Sequence, residues 1–110
     1  MRIYLDDIRT PKDSSWTVVR SYHDMIHLIQ TSFDQIEVIS FDHDLGEEKT
    51  GYDAAKFLLE HCMNNQKMPP LTFVHSANPV GRENIIGTIN NFLEFNEVEP
   101  NCRWCYIEHT

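Results

Sequence analysis

What this sequence has least of is positive charge. Nine Lys and Arg stand against seventeen Asp and Glu, leaving a formal net charge of −8 over 110 residues. Wrapping a long nucleic acid takes many Lys and Arg on phosphates, so no such partner is expected; a single small phosphate ester in a locally positive pocket remains compatible. Glycine and proline are scarce, at 4 and 5 residues. With 41% hydrophobic and 24% charged residues, that scarcity excludes collagen-like, low-complexity and disordered chains. No apolar run approaches the ~20 residues that span a membrane. Met1-Arg2-Ile3-Tyr4-Leu5 meets Asp6 and Asp7 too early to be a signal peptide. Three cysteines are an odd, low count, and a core of this size needs no disulfide, so the expected setting is cytoplasmic, with reduced thiols. The length fits a single domain, 1–110.

What the sequence does have is a regular alternation of short apolar runs and helical repeats. Arg2 to Leu5 reads as a buried strand that stops at Asp6-Asp7. Residues 8 to 15, with Pro11 and Ser14-Ser15, read as a loop or one broken turn. Trp16 to Arg20 is β-branched and aromatic, hence a second strand. Ser21 caps a helix, with Asp24 in an acidic variant of the capping box and Tyr22, Met25, Ile26, Ile29 and Phe33 at helical spacing. Glu37 to Phe41 is a third strand, ending at Asp42 and Asp44. Thr50 and Asp53 repeat the capping signal before a helix lined by Tyr52, Ala55, Leu58, Leu59 and Cys62. Met68-Pro69-Pro70 precedes the strand Leu71 to Val74, which ends at His75-Ser76. Asn78 and Pro79 open a last helix whose buried stripe is Ile85, Ile89, Phe92 and Leu93. Gly87 inside it costs about 1 kcal/mol against Ala unless close packing repays it. A final strand is expected over Arg103 to Ile107.

Strands alternating with helices predict an α/β domain with a mostly parallel sheet, and such sheets bind ligands beyond the carboxyl ends of their strands. Three polar clusters fall there: Asp6-Asp7, Asp42-His43-Asp44 and His75-Ser76. Clustered carboxylate oxygens suit a hard cation, so Asp6 and Asp7 are candidate Mg²⁺ ligands, although the chemistry below has no obligatory metal. In Asp42-His43-Asp44 an aspartate can fix the tautomer of a catalytic histidine. Asn78 to Arg82 puts a helix N-terminus and a guanidinium next to His75, a combination that holds anions. Two histidines, an arginine and helix-end amides suit acid–base attack on a phosphodiester, one histidine taking a proton from water and the other protonating the leaving oxygen. Each cluster also has a plainer structural reading, as a solvated strand end, a turn, a core histidine or a surface ion pair. For His23 and His27, an i, i+4 pair with no third ligand, the plain reading wins. It also wins for Cys102 and Cys105, half a zinc motif that Cys62 or His109 would have to complete.

Four segments carry a family resemblance. Leu5 to Pro11, Ser40 to Gly46, Thr50 to Asp53 and His75 to Asn84 resemble the cyclic-phosphate processing receiver-like domain family, over about residues 2 to 93. The resemblance implies a variant receiver fold, a flavodoxin-like three-layer sandwich of about five mostly parallel strands ordered 2-1-3-4-5. It further implies processing of cyclic phosphates on nucleotides or RNA ends. Carried over, it marks Asp6, Asp7, Asp42, His43, Asp44, His75, Ser76, Asn78 and Arg82 as the site. The chain departs from ordinary receivers in three places. Its first crossover is too short for a full helix, no Lys follows Lys67, and nothing after Ile107 can form a closing helix. A phosphoacceptor switch needs that Lys and that surface.

The expected function is therefore a hydrolase opening a cyclic phosphate on a nucleotide, an RNA end or a cyclic nucleotide messenger. His43 and His75 would be its acid–base pair, Asp42 and Asp44 would orient His43, and Ser76, Asn78, Gly81 and Arg82 would grip the phosphate. The alternatives are a binder that sequesters the same ligand and a degenerate phosphoacceptor receiver.

Overall fold

A computed structural model describes residues 1–105. Five strands and three α-helices follow in the order β1 (Arg2–Leu5), β2 (Trp16–Val19), α1 (Tyr22–Ser32), β3 (Val38–Phe41), α2 (Gly51–Asn65), β4 (Leu71–Val74), α3 (Pro79–Phe95) and β5 (Arg103–Trp104), with a short 3₁₀ turn at Phe33–Gln35. Expected and observed elements agree to within a residue or two except at β5. There the strand stops at Trp104, and Tyr106 and Ile107 lie outside the described residues.

The helices begin where their caps stand. Ser21 accepts from the Asp24 amide, and Asn78 from that of Gly81, with Pro79 opening α3. At α2 the reciprocal box is complete: Thr50 accepts from the Asp53 amide and the Asp53 carboxylate from the Thr50 amide. At α1 the Asp24 half of the expected box is not made. Helix α2 ends at Gln66 in the left-handed region, where its amide bonds the carbonyls of Cys62 and Met63.

All five strands are parallel, in the order β2-β1-β3-β4-β5. The chain leaves β1 toward one edge and then returns past it to β3, so the switch in direction lies between β1 and β3. An open α/β sheet forms its ligand crevice at such a point. Side chains alternate across the sheet. Ile3, Leu5, Ile39, Phe41 and Val74 join Met25, Ile29, Ala55, Leu58, Ile85 and Ile89 of the helices in one continuous core. Helix α2 packs between α1 and α3 on that face. The first crossover is helix-free, as its length required, and its Asp13 and Ser15 bond to Arg2 on the opposite face. The receiver-like sandwich thus has its full helical layer on one side only, among the described residues. No helix among them is long and apolar enough to cross a membrane.

The three cysteines are free thiols, two of them buried. Burial pushes the Cys62 thiol up to about 11, so it behaves as a small hydrophobe. Cys102 is bracketed by the Asn90 side chain, which bonds both its amide and its carbonyl. His109 lies outside the described residues.

Candidate functional site at the carboxyl ends of the strands

The residues one step past β1, β3 and β4 share a parity with Tyr4, Ser40 and Phe73, which are register partners across the sheet. That parity turns Asp6 and His75 away from the aliphatic core and toward each other. His75 Nε2 lies 3.1 Å from Asp6 Oδ2, and His75 Nδ1 lies 2.7 Å from Ser40 Oγ. The imidazole stacks on Tyr4, centroids 4.2 Å apart and planes 8° from parallel. Both ring nitrogens and one ring face are therefore engaged, and the His75 side chain is 0% exposed. The other oxygen of Asp6 accepts from the amides of Ile8 (2.9 Å) and Arg9 (2.8 Å).

Asp42 is the second buried carboxylate. Its Oδ1 accepts from the His43 amide at 2.8 Å, and the Ser76 hydroxyl also bonds to it. The first residue of α2 closes over its backbone: Gly51 donates to the His43 carbonyl at 2.8 Å, and a Cβ at Gly51 would stand 1.7 Å from the Asp42 carbonyl oxygen. Only glycine admits that approach.

The two acids are shifted in opposite directions. Burial alone would raise Asp6, but hydrogen bonds from His75 and from the Arg9 and Ile8 amides outweigh it and hold the carboxyl below its ordinary range. At Asp42 burial is reinforced by the negative charge of Asp6, and the carboxyl is pushed up. Two titratable groups driven apart by their surroundings are what acid–base chemistry uses.

His43 sits nearer the solvent, its side chain 17% exposed. Its Nδ1 is 3.1 Å from Asp44 Oδ1 and 3.5 Å from Asn78 Nδ2, and Asn78 also reaches Asp44 Oδ2 at 3.4 Å. The ring lies against the first turn of α3, where a Cβ at Gly81 would fall 2.2 Å from it. Between these groups opens a cleft of about 320 Å³, lined by Asp6, Asp7, Ile8, Arg9, Asp42, Asp44, Gly46, Ser76, Ala77 and Asn78.

Residues 1–91, most of the chain and all of this cleft, match the family of the cyclic-phosphate processing receiver domain. The chain belongs to that family. No curated protein and no solved structure gives a match.

Most of the site residues expected from the sequence converge, in distinct positions. Asp6, Asp7, Asp42, Asp44, Ser76 and Asn78 line the cleft; His43 flanks it through Asp44 and Asn78, and Gly81 makes room for its ring. His75 lies beneath it, bonded to Asp6. Of the two aspartates expected to orient His43, Asp44 bonds its ring and Asp42 its backbone amide. Arg82 is not brought in: its guanidinium carbon stands 5.2 Å over the Trp104 ring, and it is not a lining residue. Three residues went unmarked. Arg9 lines the cleft, and Arg20 ties the loop beneath it. Gly46, at φ +67°, turns the chain where a Cβ would meet Asp7 Oδ2 at 2.8 Å. A glycine between acids was the available signal for the last; the two arginines carry no periodic one.

The donor atoms that approach one another among the described residues belong to Asp6, Asp42 and His75, all within 4.8 Å. A hard divalent cation fits Asp6 and Asp42, because it would offset the burial and the repulsion from Asp6 that together raise the Asp42 carboxyl. His75 is a poor third ligand, since both nitrogens are already bonded. Asp7 lines the cleft against Gly46 and does not belong to that group.

Proposed function

We propose that this protein opens a cyclic phosphate on a nucleotide, an RNA end or a cyclic nucleotide messenger. Water adds across one P–O bond, leaving the phosphate on one oxygen and a free hydroxyl on the other. The observation that carries the reading is the placement of His43 beside Asp42 at the cleft, the His43 amide bonded to the Asp42 carboxylate and the His43 ring to Asp44. Asp44 at Nδ1 favours a ring proton there, which leaves Nε2 to take a proton from water. Asp42, its carboxyl raised by burial and by the charge of Asp6, is placed to pass a proton to the leaving oxygen. His75 works one layer down: it donates to Asp6, whose charge in turn raises Asp42. The acid–base pair expected of His43 and His75 becomes, in this reading, His43 with Asp42, while His75 acts beneath them through Asp6. Mg²⁺ at Asp6 and Asp42 would take the place of the Asp42 proton, supplying charge neutralisation at the phosphoryl oxygens instead of a general acid.

The test is a panel of 2′,3′-cyclic mononucleotides, 3′,5′-cyclic mononucleotides and cyclic dinucleotides, with products read by mass spectrometry in the presence and absence of EDTA. Turnover of one class is expected, with His43→Gln lowering kcat by roughly 10²–10⁴ and His75→Gln by less. Loss of turnover in EDTA would move the weight onto Asp6 and Asp42. Ligand retained without any product would replace hydrolysis by sequestration.

A further inference from the structure

We propose that Arg9, rather than Arg82, is the side chain that takes the phosphate in the cleft, and that Arg20 is the positioning residue that holds it there. The inference rests on the cyclic-phosphate reading above and adds an anion subsite to it. Four carboxylates, Asp6, Asp7, Asp42 and Asp44, stand in the cleft wall. An entering phosphate is repelled by those that are ionised unless a cation stands among them. Arg9 is the one Lys, Arg or His among the lining residues. Its side chain is exposed and makes no hydrogen bond or ion pair with the described residues, so no internal partner has to be displaced. A guanidinium presents a planar fork of donors that matches two phosphate oxygens. Arg82 has the same chemistry but is spent on Trp104.

The backbone of residue 9 is fixed from both sides. Asp6 Oδ1 accepts its amide at 2.8 Å. Arg20 Nη1 donates to its carbonyl at 2.8 Å and to the Asp6 carbonyl at 3.2 Å, while Nη2 reaches Thr10 Oγ1 at 2.7 Å. The two arginines are therefore different in kind. Arg20 turns its guanidinium onto three acceptors of the loop and serves as a brace; Arg9 has its backbone satisfied and its side chain exposed. Little loop-ordering cost remains to be met when a ligand arrives. The brace also ties the subsite to the chemistry, because the carboxylate holding the Arg9 amide is the one bonded to His75.

The experiment needs no turnover. Inorganic phosphate is titrated into the ¹⁵N-labelled protein, with and without Mg²⁺, and binding is followed at the amides of Ile8, Arg9, Ser76 and Asn78. Arg9→Gln is expected to weaken phosphate about tenfold or more, as the loss of a charge-assisted pair implies. Arg9→Lys should recover part of that, and Arg82→Gln should change nothing. Arg20→Gln should weaken binding in the wild-type background and have no further effect in Arg9→Gln, a non-additivity that a general loss of fold would not produce. With a hydrolysed substrate in hand, Arg9→Gln should raise KM more than it lowers kcat. Equal losses in Arg82→Gln and Arg9→Gln, or no phosphate-dependent shifts at the cleft of the wild type, would overturn the assignment. Phosphate binding is read apart from catalysis, so the subsite can stand even if no cyclic phosphate is opened, and can fail even if one is.

Discussion

The same three strands build two unlike faces. Toward the helices, β1, β3 and β4 present Ile3, Leu5, Ile39, Phe41 and Val74, all buried and all aliphatic or aromatic. Toward the other side the same strands and their immediate ends present Tyr4, Asp6, Ser40, Asp42 and His75, equally buried but almost wholly polar or titratable. One face gains stability by removing carbon from water. The other spends part of that gain on a buried carboxylate pressed against a second one. A period of two along each strand lets a 110-residue chain keep the two tasks apart without a second core.

The sharpest way to break this contrast is to cut into each face. Phe41 is 0% exposed in the centre of the core face, and Phe41→Ala should cost about 3–5 kcal/mol in a urea unfolding titration. A cost below about 1 kcal/mol would mean that this face does not carry the fold.

The two acids of the other face should then move stability in opposite directions. Asp6 has a lowered carboxyl, so it contributes stability above its ordinary value of 3.8 that is lost as pH falls through the depressed one. Asp42 has a raised carboxyl, so its cost is absent below 3.8 and grows as pH rises through the raised one. In EDTA at pH 7, Asp6→Asn should lower Tm and Asp42→Asn should raise it while removing turnover. Both differences should shrink when the melts are repeated below pH 3.8. Shifts of the same sign would dissolve the distinction between the two carboxylates.

The smallest expected effect lies away from both faces. Gly87 sits inside α3 and a Cβ there would meet nothing within 4 Å. No close packing repays its flexibility, and Gly87→Ala should stabilise by about 0.5–1 kcal/mol, with cyclic-phosphate turnover unchanged.

Much of this arrangement could be read in advance because apolar runs stop abruptly at polar residues. Leu5 gives way to Asp6, Phe41 to Asp42 and Val74 to His75, and a parallel sheet brings such endings together. The caps at Ser21, Thr50 and Asn78 were equally open, since each lies three residues before the amide it accepts. The depth of His75 was not, because its burial depends on the register that sets Tyr4 beside Ser40. That Arg9 rather than Arg82 lines the cleft was hidden for a related reason. A helix N-terminus advertises itself in sequence, whereas a loop residue clamped by Asp6 and Arg20 from eleven residues away does not. Gly51 and Gly81 looked like ordinary helix-start residues until the Asp42 carbonyl and the His43 ring were found in the space of their missing side chains.

The bond between Asp6 and His75 joins residues 69 positions apart. It closes a long loop, because β4 meets β3, and β3 alone separates it from β1. A nascent chain that has emerged only as far as α2 holds both acids of the site and lacks the histidine that steadies one of them. The working site thus needs the fourth strand as much as the first.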